Sequence, residues 1–240
     1  MINMQGRTAV VFGVANKRSI AWAIAQRLQA AGVSLAITYQ NERLKEEAQD
    51  LIASLPRAEG FQCDANNDAE IERLASELKQ RYERIDVLAH LVGGFSGGTP
   101  VVETGDGVVD RMLDLNFRSA FHIIRAVLPH MRQQGFGRIL AIGSKAAVEP
   151  APMAAAYAAS KAALVSFIRT VARENSDRGI TANVVLPGTM DTPANRASDP
   201  TADISKWVNP CQVASLLVHL ASSRASNING AVIPVYGAEA

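Results

Sequence analysis

The chain has 240 residues, 48% hydrophobic and 20% charged, with 24 Lys and Arg against 23 Asp and Glu for a formal net charge of +1. That composition suits one globular domain over residues 1–240, and a charge so near neutral points to neither nucleic acid nor an anionic membrane as the main partner. Two cysteines, Cys63 and Cys211, cannot build a disulfide framework or a zinc ligand set by themselves, and each reads as a buried thiol.

The opening residues lack the long apolar stretch of a signal peptide, and "TAVVFGVA" is too short to span a bilayer; a soluble cytoplasmic protein is expected. Short β-branched runs then alternate with helical patterns. "RTAVVF" reads as a strand and "SIAWAIAQRLQAA" as a helix ended by Gly32. "VSLAITY" is a strand, "ERLKEEAQDLIASL" a helix, "AEGFQC" a weaker strand and "DAEIERLASELKQRY" a strongly periodic helix. "IDVLAHLV" is a strand, followed by the helical stretch "MLDLNFRSAFHIIRAVLPHMRQQ" with a predicted interruption near Asn116. "GRILAIG", "ITANVVLP" and "AVIPVYG" complete the strands, separated by the helices "AAAYAASKAALVSFIRTVARENS" and "PCQVASLLVHLAS". Strands almost without polar residues, each followed by a helix, predict a parallel α/β sheet of about seven strands, covered on both faces and doubly wound. Ligands of such folds lie outside the carboxyl ends of the strands.

After the first strand, Gly13 allows a tight turn, small Ala15 lets backbone approach a ligand, and Ser19 can cap the next helix, whose N-terminus attracts phosphate. The loop lacks the second and third glycines of G-x-G-x-x-G. "GVANKRSIAWAIA", "LAITYQNERLK" and "FQCDANN" resemble the enoyl-acyl-carrier-protein reductase branch of the short-chain dehydrogenase/reductase family. The resemblance implies an NAD(P)-dependent oxidoreductase with a Rossmann-type fold. It implies that Ser19 and Ile20 hold the pyrophosphate and that Gln40 lies near the adenosine ribose. Asp64 would then bond the adenine and Gly93 line the cofactor. At the end of the second strand stand Tyr39 and Gln40, without the carboxylate or arginine that usually decides between cofactors. Gln40 can bond a free ribose hydroxyl, which leans the reading to NAD(H) over NADP(H); Lys17, Arg18 and Arg43 are either solvated charge or phosphate ligands.

"YAASK" places Tyr157 and Lys161 on one face of a helix, one turn apart, either as a polar edge or as a proton donor beside a cation. Ser144 follows the fifth strand, thirteen residues before Tyr157. Together with Asn116 and with Pro187, Gly188 and Thr192 of "LPGTMDT", these spacings resemble the carbonyl-reducing members of the same family; the enoyl reductases space the tyrosine and lysine more widely. The family signatures change near "HLVGGFSGG". The resemblance implies a catalytic set of Asn116, Ser144, Tyr157 and Lys161. Tyr157 would be the general acid, its pKa lowered from about 10 by Lys161 and a cationic nicotinamide. Ser144 would hold the substrate oxygen, Lys161 the nicotinamide ribose, and Asn116 a water against the lysine. It also implies a homotetramer with twofold symmetry, or failing that a dimer.

Other polar residues read as structural: His90 as a core residue bonded to backbone, His122, His130 and His219 as helix residues, Lys145 as solvated, Cys63 as packing. The segment "LPGTMDTPANRASDPTADISKWVNP" resembles the substrate lid of dihydropteridine reductase, where Trp207 is either a stacking surface or a packing anchor. The preferred reading is a carbonyl reductase or alcohol dehydrogenase acting on a small-molecule substrate. An enoyl-thioester reductase and a nucleotide-sensing binding protein are the alternatives.

Overall fold

The computed structural model describes residues 2–14, 16–17 and 19–239; Ala15 and Arg18, both read above as cofactor-loop residues, lie outside the described residues. Strands β1 (Thr8–Phe12), β2 (Ser34–Tyr39), β3 (Ala58–Gln62), β4 (Val87–His90), β5 (Gly137–Ile142), β6 (Ile180–Pro187) and β7 (Val232–Val235) form one sheet. Its order is β3-β2-β1-β4-β5-β6-β7, and every neighbouring pair is parallel. The doubly wound α/β expectation is met.

Two cores lie on the two sheet faces. Along β1, Ala9 and Val11 join one and Val10 and Phe12 the other, as alternation of side chains along a strand requires. Helices α1 (Ile20–Ala30), α2 (Glu42–Ala53) and α8 (Pro210–Ala221) supply the first core, while α3 (Asp68–Arg81), α5 (Ser119–Gln134) and α6 (Ala155–Glu174) supply the second. The chain winds outward from β1 to β3, then returns to lay β4 on the other side of β1. The carboxyl ends of β1 and β4 therefore diverge into a crevice.

Three departures from the sequence reading bear on the site. Strand β4 stops at His90, two residues early: the Leu91 N–H still bonds the Phe12 carbonyl at 3.2 Å, but β1 ends there and Gly13 turns away at φ +99°. The helical stretch before α5 begins earlier than expected, as α4 (Asp106–Leu113), and the interruption near Asn116 is a five-residue π segment, Asp114–Arg118. Cys63 is buried as read, but Cys211 is exposed. It sits in the first turn of α8, ahead of the apolar stripe that begins at Val213.

Candidate active site

The first wall of the crevice is the turn between β1 and α1. Gly13 has φ +99°, a left-handed backbone that disfavours other residues. Ser19 is the N-cap of α1: its Oγ accepts from the Trp22 N–H at 3.1 Å and donates to the Asn16 carbonyl at 2.8 Å. Ile20 turns its side chain into the core, 8% exposed, and leaves its N–H at the helix mouth. Anions are favoured there by the helix dipole. A cavity of about 390 Å³ joins Lys17 and Ser19 to Thr192, Arg196 and Cys211. Thr192 reaches it because Pro187 ends β6, the Gly188 N–H bonds the Val235 carbonyl at 3.0 Å, and Thr192 caps the short helix α7 (Pro193–Ser198). Beyond β2 and β3, Gln40 Nε2 donates to Asp64 Oδ2 at 3.3 Å.

The second wall is built across β4, β5 and α6. Asn116 is fully buried in the π segment; its Nδ2 donates to the Gly94 carbonyl and to Ser160 Oγ, both at 3.0 Å, and its Oδ1 accepts from the Gly94 N–H at 3.0 Å. Gly93 has no room for a side chain, since a Cβ there would lie 2.7 Å from Asn116 Oδ1 and 3.1 Å from Lys161 Nζ. Ser160 Oγ in turn donates to the Tyr157 carbonyl at 2.7 Å.

Ser144 follows β5 and caps a short turn, its Oγ accepting from the Ala146 N–H at 3.2 Å. The same hydroxyl bonds the Tyr157 phenol in the sense that favours the phenolate. Burial outweighs that bond, and the Tyr157 pKa is raised above the ordinary phenol value. The Lys161 ammonium donates to the Ile142 carbonyl at 3.0 Å. Burial also brings Lys161 down to about 8. Phe95 stands edge-on to the Tyr157 ring, centroids 5.0 Å apart.

His90 Nε2 pairs with the Ser119 hydroxyl at 3.1 Å, in addition to a bond with backbone. One structural reading needs correction. Lys145 is not simply solvated: it is 27% exposed, pairs with Glu149 at 3.5 Å and lies 4.9 Å from the Tyr236 ring centre. His122 pairs with Asp68, and burial pushes the Cys63 thiol up to about 12, which suits packing. Trp207 is half-buried after a short turn of the lid. Sequence reasoning missed Ser160, Gly94 and Phe95. Ser160 was legible in principle, three residues after Tyr157 in a helix, where a serine hydroxyl can bond back to a preceding carbonyl.

A helix-mouth anion site at one strand end and a serine–tyrosine–lysine set at another define a dinucleotide-dependent oxidoreductase. Residues 13–237 match a family model described as Enoyl-(Acyl carrier protein) reductase. The chain is 31% identical over 240 residues to the 3-oxoacyl-acyl-carrier-protein reductase MabA of Mycobacterium tuberculosis, covering 96% of this chain and 92% of that one. It is 28% identical over 257 residues to the enoyl-acyl-carrier-protein reductase (NADH) FabI of Nostoc, covering 98% and 96%. Among solved structures, a dehydrogenase/reductase from Sinorhizobium meliloti matches with TM-score 0.86 and 31% identity, covering 100% of this chain and 97% of that one. The chain belongs to the short-chain dehydrogenase/reductase family and is a nicotinamide-dependent oxidoreductase. Among the described residues, no helix is long and apolar enough to cross a membrane.

Proposed function

We propose that this oxidoreductase reduces a ketone to an alcohol, or runs the reverse, with Tyr157 as the general acid and base. The observation that carries the reading is the Ser144–Tyr157 hydroxyl pair beyond β5, with the Lys161 ammonium one helical turn further on. The residues present fit a nicotinamide cofactor: the α1 N-terminus is open to a diphosphate, and Gly93 keeps the floor beside Lys161 clear of a side chain. Bound there, the cofactor supplies or removes hydride. When substrate enters, the Ser144 hydroxyl turns its one proton from the phenol oxygen to the substrate oxygen and holds that oxygen beside the phenol. Tyr157 passes its proton to that oxygen as negative charge develops. A phenol of ordinary pKa, about 10, is already protonated near neutrality, and burial holds Tyr157 in that form. Lys161 spends one N–H on the Ile142 carbonyl, and its other two are donors for ribose hydroxyls. Asn116 and Ser160 fix the chain at Gly94 and the start of the catalytic turn.

The cofactor reading is NAD(H). The Asp64 carboxylate bonded to Gln40 suits neutral hydroxyls and repels a 2′-phosphate, while Lys17 lines the cavity shared with Ser19 and Thr192. An enoyl-thioester reductase is the second reading, favoured by the family description and by the Ser19–Ile20 turn. The test follows reduced-nicotinamide absorbance against simple ketones, 3-oxoacyl thioesters, enoyl thioesters and quinonoid dihydropteridines. Turnover of a ketone or 3-oxoacyl thioester, abolished by Ser144→Ala, supports the proposal; activity confined to enoyl thioesters and indifferent to Ser144→Ala overturns it. A homotetramer is part of the same proposal. Phe117, Phe121 and Phe167 form a half-buried cluster on the π segment, α5 and α6, with centroids 5.3–6.2 Å apart, suited to pack on a symmetry mate. Light scattering that gives a monomer overturns it.

A further inference from the structure

His90 and Ser119 are both fully buried and belong to no step of the chemistry above. Their hydrogen bonds favour one assignment of protons. In the π segment the Ser119 N–H bonds the Asp114 carbonyl, five residues back. An α-helix would have sent it to the Leu115 carbonyl. That carbonyl instead takes the Ser119 hydroxyl proton, at 2.8 Å. Having given its only proton away, Ser119 Oγ must accept from His90, 3.1 Å off. His90 is then neutral with its proton on Nε2. Its Nδ1 meets no other side chain, only its own backbone. Burial, reinforced by the Lys161 charge, pushes this imidazole down to about 3.

The consequence lies in what the π segment holds. His90 ends β4 and bonds one end of the segment at Ser119; four residues on, Gly94 bonds its middle through Asn116. The stretch from His90 to Gly94 is thus clasped at both ends, with Gly93 between, facing Asn116 Oδ1 and Lys161 Nζ. We propose that His90, through Ser119, is a positioning residue that locks the π segment and so sets the height of the Gly93 floor beside Lys161. This rests on the carbonyl-reductase reading for its effect on turnover, but not for its effect on cofactor binding or on the histidine tautomer.

The experiment compares Ser119→Ala, His90→Leu, the double variant and His90→Gln, whose amide nitrogen replaces the Nε2 donor. Folding is judged by circular dichroism, NADH binding by fluorescence, and kcat and KM on whichever substrate the panel yields. Ser119→Ala and His90→Leu should each weaken NADH binding and lower kcat by about tenfold, with little change in substrate KM. The double variant should be no worse than either single, because both break one link, and His90→Gln should restore most of the loss. Full NADH affinity and kcat in a folded His90→Leu protein would overturn the proposal, as would losses that multiply in the double variant. If His90→Leu does not fold, nitrogen-15 NMR of the unaltered protein decides: the His90 proton must sit on Nε2, and an Nδ1–H tautomer ends the idea. Absence of turnover on every substrate, with weakened NADH binding and the Nε2 tautomer intact, would count against the carbonyl reading alone.

Discussion

The two walls of the crevice are held in different ways. In the β1–α1 turn, the bonds made by Ser19 reach only three residues along the chain, to Asn16 and Trp22. In the second wall, Asn116 bonds across 22 residues to Gly94 and 44 to Ser160, and Lys161 bonds across 19 to Ile142. A local turn tolerates the loss of one member, because the neighbouring backbone still finds its own partners. A wall assembled from distant segments does not, because each side chain supports the placement of the next.

The sharpest way to exploit this contrast is at the reacting atom. Tyr157→Phe keeps the ring against Phe95 but removes the proton, and kcat should fall by about 10²–10⁴-fold with NADH binding preserved. Unchanged ketone reduction would remove Tyr157 from the mechanism. Next in size is Gly93→Ala. The new methyl would lie 2.7 Å from Asn116 Oδ1 and 3.1 Å from Lys161 Nζ, so the floor must shift, and a shift on the order of 1 Å costs about 10²-fold in kcat/KM. Wild-type kinetics would show that the second wall yields as easily as the first.

The pH dependence of NADH binding probes the second wall without mutation. Lys161 is cationic below about 8 and neutral above. Its contribution to ribose binding is therefore present at low pH and lost as pH rises, with the dissociation constant climbing toward about tenfold per pH unit. A titration flat through that range would take the ammonium away from the cofactor. The smallest effect is expected in the first wall. Ser19→Ala removes one cap worth about 1 kcal/mol of stability, read by thermal or urea unfolding, and should weaken NADH only a few-fold. A loss as large as that of Gly93→Ala would erase the distinction between the walls.

The first wall was largely legible before folding. Gly13 and Ser19 announce a turn and a cap through their own backbone preferences, and both occur where read. The spacing of Ser144, Tyr157 and Lys161 was equally visible; Ser144 follows β5, and α6 carries Tyr157 and Lys161, as expected. The lines that join them were not. Ser160 reads as one more small residue in an alanine-rich helix until Asn116 arrives from another element. The same holds for His90, whose partner depends on a π turn that moves Ser119 by one backbone bond. Cys211 misled because burial follows the helix face a residue occupies, and one turn from a cap the apolar stripe has not begun.

By itself, then, the chain determined its strands, its helices and their parallel winding, because hydrophobic period and turn chemistry act over a few residues and are written in consecutive letters. It also holds the Ser144, Tyr157 and Lys161 spacing on which the proposed proton exchange rests. Only the tertiary structure decided the electrostatics of that exchange. Whether Tyr157 is raised or lowered depends on how much water the surrounding elements exclude and on where the Lys161 ammonium finds its oxygen. Both are set by segments far apart in the chain, and desolvation has no signature in a spacing.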